Sequence, residues 1–528
     1  MKTSAKIHAP LGTILLVAVA LLVGACGGSS DAAASSGCRT VPENVAASTT
    51  ANSASWPYSN VDLANTRDAT GSTISSANVS RLAQAWTFKL TGKAAVGVRP
   101  YGSLTANPIV QNGVVYLQDL DSNVYALALA TGKLDWEYQC NQPEKSGPGP
   151  NGIAVADGKV YGLTPTAAFA LSASTGKTLW VNSGLLNAGQ GTFGIQPQVA
   201  NGRVYLASQY GSGPGGGVLL ALDASSGAVV WRFNTVVGPE PGVQSLGLGS
   251  GGAWETPLVS GDGSVTFGIG NPYQTPAAAI AHPAADLYTD SDVNLDAATG
   301  KLRWYYQGLP NDFKDYDMQA SPISADAGGV SVVIGSGKMG YVYEMNASTG
   351  KLIWKTPVGG HNGHDDDSLE ALEHRSTLKP PLTIFPGSLG GVLSDLAVDS
   401  SSVYVATIDL PLTFTTFKLP TATQPAGSPT GEVEALSLAT GKVEWDRKVP
   451  QLPLGAVTVS NDLVFTTLYD GELIALNRTT GAIVYRHQLP TSANSPIAIA
   501  GNTVIVPAGG PETSTGGGDP QVVAYTVP

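Results

Sequence analysis

Val124-Tyr-Ala-Leu-Ala-Leu-Ala-Thr-Gly-Lys-Leu-Asp-Trp136 reads as an alternating apolar strand, a Thr-Gly turn and a second strand ending on tryptophan. Period-2 alternation places Val124, Ala126 and Leu127 in a strand, and Gly132 supplies the positive φ of a tight turn. With the turn glycine as reference and an aromatic four residues later, the unit recurs as Gly132/Trp136, Gly176/Trp180, Gly227/Trp231, Gly300/Trp304, Gly350/Trp354, Gly441/Trp445 and Gly481/Tyr485. An aromatic at that offset lies on the outer strand of its hairpin, where its ring can dock on the turn of the neighbouring unit. Such a repeat is built to stack.

Successive turn glycines are 44, 51, 73, 50, 91 and 40 residues apart. The short spacings match one four-stranded propeller blade of roughly 40–50 residues. The two long ones contain no further Gly-x-x-x-Trp and are expected to be blades with inserted loops, which is where function usually sits on a rigid scaffold. Ala85-Trp86-Thr-Phe88 has the docking tryptophan without its own hairpin, and Val522-Val-Ala-Tyr-Thr-Val527 can supply the missing strand. Pairing these two segments would close the ring and remove its open edges. The fold class expected is therefore all-β, an eight-bladed propeller over residues 56–528.

Composition agrees. Charged residues make up 13 % of the 528, against about 25 % in ordinary globular chains, while 64 Gly and 35 Pro indicate a turn-rich sequence. The net charge of −12 disfavours a nucleic acid or an anionic membrane surface as partner. Lys2 and Lys6 precede the apolar run Leu11–Val23, too short for a transmembrane helix and arranged as an export signal over residues 1–25. Val23-Gly-Ala-Cys26 resembles a bacterial lipoprotein cleavage site, which implies lipidation at Cys26. The Gly/Ser/Ala-rich stretch to residue 55 then reads as a flexible tether. The expected location is the outer face of the bacterial cell membrane or the periplasm, with the membrane met only through the lipid. There, Cys38 and Cys140 are expected to form a disulfide that pins the tether to a blade, although sequence alone does not place them within bonding distance.

Trp56-Pro-Tyr-Ser-Asn-Val-Asp-Leu-Ala-Asn-Thr-Arg67 and Asn78-Val-Ser-Arg-Leu-Ala-Gln-Ala-Trp86 resemble the opening of quinoprotein alcohol dehydrogenases, eight-bladed propellers that bind pyrroloquinoline quinone (PQQ). The likeness continues through Gly252-Ala-Trp254-Glu-Thr-Pro257, Phe267-Gly-Ile-Gly-Asn271-Pro, Pro310-Asn-Asp-Phe-Lys-Asp315-Tyr-Asp317 and Gly337-Lys338-Met-Gly340, and points towards polyvinyl-alcohol-dehydrogenase-like members. By position, the resemblance implies that Trp254 stacks on the quinone and Lys338 contacts it. It also implies that Asn271 and Asp315 bind a metal and that Asp315 is the catalytic base. Asp317 corresponds to the added carboxylate that accompanies lanthanide use, so calcium or a lanthanide is the implied ion. The substrate implied is a small or polymeric alcohol, with electrons leaving to a separate acceptor.

The chain also departs from the family. Where relatives carry a metal-binding Glu, Leu206–Gly217 has no carboxylate, leaving Gln209 or Tyr210 as substitutes. The adjacent-cysteine pair that covers the quinone in many members is missing beside Cys140, and no Cys-x-x-Cys-His haem motif occurs. A second cluster, His361-Asn-Gly-His364-Asp-Asp-Asp367 with His374, lies in the longest insertion; around Gly363 it reads as a solvated loop rather than a metal site. The alternative to an enzyme is a non-catalytic lipoprotein whose ring serves as a protein-binding scaffold, as in outer-membrane assembly propellers that share these repeats.

Overall fold

The structure is a computed structural model that describes residues 37–41, 54–90, 101–144, 149–209, 211, 216–237, 250–374, 378–418, 422–423, 429–511 and 518–528. The export segment, Cys26, Tyr210 and most of the expected tether lie outside them. Eight antiparallel sheets follow one another as blades. The first pairs Ala83–Lys89 with Gln521–Thr526, which in turn pairs with Thr503–Ala508, so the ring closes with segments from the two ends of the sequence. Blades two to eight each begin on a short inner strand, at Ile109, Ala154, Gln198, Leu258, Ile323, Ala397 and Thr458, and each ends on the strand bearing the docking aromatic.

The docking itself is uniform. A methyl group added to Gly132 would come within 2.5 Å of the Trp86 ring, and Gly176, Gly227, Gly300, Gly350, Gly441 and Gly481 stand in the same relation to Trp136, Trp180, Trp231, Trp304, Trp354 and Trp445. Each of these glycines has φ between 63° and 71°. Each indole N–H also donates to a carbonyl of the next blade's turn, for example Trp86 to Leu129 at 2.7 Å and Trp231 to Ala297 at 3.0 Å. Each ring thus caps the neighbouring turn, and that contact explains the Gly-to-aromatic spacing. Tyr485, half-buried, packs against the cluster that seals the first blade. Truncating Trp231 to Ala is expected to cost about 3–5 kcal/mol in urea unfolding; a loss below about 1 kcal/mol would show the ring to be ornamental.

Two features differ from the sequence reading. Within the expected tether, Arg39–Val41 forms a fifth strand antiparallel to Leu134–Gln139 of blade two, beside the expected Cys38–Cys140 disulfide, whose Cα atoms are 4.1 Å apart. An unpaired outer strand offers free backbone groups, and a short segment held by a covalent link satisfies them. The segment at 361–374 is not a solvated loop. His361 Nδ1 pairs with Asp365 at 2.7 Å, its Nε2 meets the carbonyls of Gly340 and Val358, and Asp367–His374 is a helix. It packs against a second short helix, Pro276–Ala281, from the other inserted blade. Asn311 Nδ2 bridges the two, donating to Ala279 and Ser368 carbonyls.

The other end of the central channel is plugged by Trp56–Ala69. Its backbone pairs with the inner strands of five blades, at Val110, Val259, Ser324, Val398 and Val459. At its end Arg67 is fully buried and spends all five donors on Val457 O, Asn60 Oδ1, Asn107 Oδ1, Thr458 Oγ1 and Ile497 O.

Burial also leaves acids between blades. Glu434 of blade seven accepts Gly359 N–H at 2.7 Å, and burial, then Asp446, Glu432 and Asp409, push its carboxyl up from 4.5 to about 8. A raised carboxyl contributes stability that is complete below its unfolded value and lost as pH rises through its folded value. The unfolding free energy is therefore expected to fall across pH 4.5–8, with this group contributing a slope of about 1.4 kcal/mol per pH unit. Glu434→Gln should remove that part of the slope in urea titrations at several pH values.

Candidate active site

At the end of the channel opposite the plug, blades five and six bring together side chains from four separate segments. Trp254 precedes the inner strand Leu258–Val259, and Asn271 follows its partner Ser264–Gly268. Asp315 and Asp317 lie on the connection between the two blades, and Lys338 sits in the turn between Ser331–Gly337 and Tyr341–Asn346. Antiparallel blades place such turns at one end of the ring, so residues far apart in sequence meet at the axis.

The polar contacts are dense. Asp317 Oδ1 accepts the Asn271 backbone N–H at 2.9 Å, and Asn271 Nδ2 donates to Asp315 Oδ1 at 2.5 Å. The Lys338 ammonium bridges Asp315 Oδ2, at 3.0 Å, and Asp317 Oδ2. The two carboxylates thus face the same cation although Asp315 has φ 65°, away from the extended conformation. Gly270 fits between the Trp254 ring and Asp317: a methyl there would lie 2.8 Å from Trp254 Cη2 and 2.7 Å from Asp317 Oδ1. Trp254 Nε1 donates to Gln319 Oε1 at 3.2 Å, which fixes the plane of the indole. Gln319 carried no sequence signal beyond its place two residues after Asp317.

The segment bearing the aspartates is held from below. Asp312 accepts the N–H groups of Lys314 and Tyr316, both at 2.9 Å. Lys314 Nζ caps the His364 and Asp365 carbonyls, tying the segment to the helical cap. Asp312 is therefore a turn-forming group. Burial pushes Asp315 up to about 7, against the pull of Lys338. Burial opposes the charge on Lys338, but Asp315 and Asp317 outweigh it and hold the ammonium above its ordinary value.

Gln209 is buried against Gly194, whose added methyl would fall 2.6 Å from Gln209 Cδ. The site instead includes a carboxyl absent from the sequence reading, Asp290, whose N–H donates to Gly270 O at 3.1 Å.

An eight-bladed ring with an indole platform beside two carboxylates, a carboxamide and a lysine defines a quinoprotein-type propeller. Residues 56–154 and 188–358, just over half the chain, match the profile described as glucose/ethanol/alcohol dehydrogenase, beta-propeller domain, and the chain belongs to that family. Residues 429–526 match the profile described as outer membrane protein assembly factor BamB. The chain is 26 % identical over 493 residues to a quinohemoprotein alcohol dehydrogenase of Comamonas testosteroni, covering 81 % of this chain and 68 % of that one. It is 25 % identical over 492 residues to the quinoprotein alcohol dehydrogenase PedH of Pseudomonas putida, covering 82 % and 80 %. Among solved structures it superposes on a europium-containing methanol dehydrogenase with TM-score 0.74 at 20 % identity, covering 90 % and 98 %.

Among the described residues, no three His, Cys, Asp or Glu side chains gather into a ready metal-binding group. What the site offers is a flat aromatic face and, at its edge, hard oxygen donors from Asn271, Asp315 and Asp317 around a point already occupied by positive charge. This donor set suits a hard cation and leaves coordination positions to a second oxygen-rich ligand. The residues fit a planar quinone with a calcium or lanthanide ion. To act as a ligand, the Asn271 carboxamide must turn, because its nitrogen now meets Asp315 and its oxygen the Tyr273 N–H.

Proposed function

We propose that the protein is an extracytoplasmic, PQQ-dependent dehydrogenase that oxidises a small or polymeric alcohol and passes the electrons to a separate acceptor. The observation that carries this reading is the Asp315–Lys338–Asp317 cluster at the edge of the Trp254 platform. When bound, the quinone would supply a hydride acceptor and the cation a Lewis acid beside it.

The chain's own residues supply the rest. Trp254, locked by Gln319, provides the face on which a planar ring lies. Asp315 is the one carboxylate of the pair with exposure, 33 % against 0 % for Asp317, so it is the one that meets an alcohol hydroxyl and takes its proton. Lys338 holds Asp315 in place and would be the cationic group that contacts a bound quinone. Asp317 is buried and anchored on Asn271, which suits a cation ligand. The export signal and the Val23-Gly-Ala-Cys26 motif support placement outside the cytoplasm, with Cys26 as the lipid attachment point.

The test is reconstitution of the purified protein with PQQ and calcium or lanthanum, read by the absorbance of bound quinone and by alcohol-dependent reduction of a dye. Bound-quinone absorbance with turnover is the expected result. The match of residues 429–526 to an assembly-factor profile favours one other reading, a scaffold, and an absence of both quinone and metal uptake would leave that reading in possession.

A further inference from the structure

Asp290 is fully buried, and neither of its carboxyl oxygens has a hydrogen-bond partner among the described residues. It stands directly behind the site: its N–H bonds the carbonyl of Gly270, the residue wedged between the Trp254 ring and Asp317. The repeat shows how unusual it is. Ten residues before each turn glycine, the other blades carry Ser122, Thr166, Gly217, Gly340, Gly431 and Gly471. Only blade five places a carboxyl there.

We infer that Asp290 exchanges its proton for the charge of the cation: uptake of a calcium or lanthanide ion at Asn271, Asp315 and Asp317 expels the proton of Asp290 to solvent and leaves a buried carboxylate behind Gly270. This inference rests on the functional reading above. Atoms and charge balance simply, since a carboxylic acid plus a metal ion becomes a carboxylate–metal pair plus one proton.

The groups around Asp290 make its charge depend on that ion. Asp312, Asp317, Asp315 and Asp286 all act on it, and burial followed by these like charges holds the acid well above its ordinary value. Tyr343, from blade six, also feels Asp290. Among the neighbouring acids, Asp312 is satisfied by two backbone N–H groups, Asp286 accepts from Gln274 at 2.9 Å, and Asp315 and Asp317 share Lys338. Of these acids, Asp290 alone has no hydrogen-bond or ion-pair partner among the described residues to hold a negative charge. A polyvalent ion beside Asp317 reverses the sign of the local field, and in a low-dielectric interior that field reaches past the first ligands. Asp290 then provides, as charge rather than as a ligand, the third carboxylate that Leu206–Gly217 lacks.

The experiment is calorimetry of the full chain with PQQ in excess, titrating lanthanum chloride in two buffers of different ionisation enthalpy. Compared with the unaltered protein, Asp290→Asn should release about one proton fewer per ion and bind lanthanum about 10–100-fold more weakly. Asp292→Asn serves as the control. It removes a carboxyl equally buried and unpartnered but with no charged neighbour acting on it, and should leave the proton count unchanged. A second measurement reads the same proton directly: the lanthanum-minus-free infrared difference spectrum of the unaltered protein should show the loss of one protonated-carboxyl band that is missing from the difference spectrum of Asp290→Asn. An unchanged proton count in Asp290→Asn, or a difference spectrum of the unaltered protein without that loss, overturns the inference alone. No lanthanum uptake by the unaltered protein overturns the functional reading and this inference with it.

Discussion

Asp315→Asn is expected to lower kcat by about 10²–10⁴-fold while bound-quinone absorbance persists. The substitution keeps the shape of the side chain and its contact with Asn271, which donates 2.5 Å away, but removes the proton acceptor and the anion that Lys338 pairs. Steady-state assays with an artificial electron acceptor, run beside absorbance of the reconstituted protein, separate the two effects. If kcat falls less than about tenfold, another group takes the hydroxyl proton and the assignment of the base is wrong. A companion change, Asp317→Ala, should remove any preference for lanthanum over calcium, because the attraction of a trivalent ion for an added carboxylate exceeds that of a divalent one.

Among polar side chains, the largest effect on stability is expected at Arg67. Burial lowers its guanidinium to about 10, with Asp395 and Glu255 acting in its favour, so it still carries charge at neutral pH. Its five donors tie the channel plug to blades eight and one and to Asn60 and Asn107, and it lies 5.4 Å from the Trp56 ring. Arg67→Ala leaves those acceptors unpaired and strands the Asp395 charge, an expected loss of about 3–5 kcal/mol. Lysine should not rescue it, since an ammonium cannot reproduce a planar five-donor fork. Urea unfolding monitored by tryptophan fluorescence decides the matter, and a variant within about 1 kcal/mol of the parent would mean that the plug is not held by this residue.

The ring was legible because its signal is local and repeated: Gly132 and Trp136 are four residues apart, and seven copies carry the same spacing. Closure by residues 521–526 followed from a tryptophan, Trp86, that lacked its hairpin. Trp254 stood out for the opposite reason, being outside the repeat position. The floor was not legible, because Arg67 finds its acceptors near residues 107, 457 and 497, and nothing in the sequence around it points there. His361 looked solvated because Gly363 and three consecutive aspartates suggest a loop. The carbonyls of Gly340 and Val358 that hold it come from the turn beside Lys338 and from the exit of the last strand of blade six. Arg39–Val41 was hidden by its composition, since the free edge of blade two that recruits it is a property of the folded sheet.

The closing blade sets an order of assembly. Ala83–Lys89 has its partner in Gln521–Thr526, more than four hundred residues later, while every other blade is complete within its own stretch of chain. A chain delivered from its N-terminal side therefore accumulates seven finished sheets in an open arc, with Ala83–Lys89 waiting and both lateral edges of the arc unpaired. Until the last strand arrives, the arc can also borrow the same strand from a neighbouring chain, so crowding during delivery is expected to raise the share of strand-swapped pairs. Slow delivery at low concentration should favour the closed monomer, and the partition between monomer and swapped dimer becomes a record of how the chain was made.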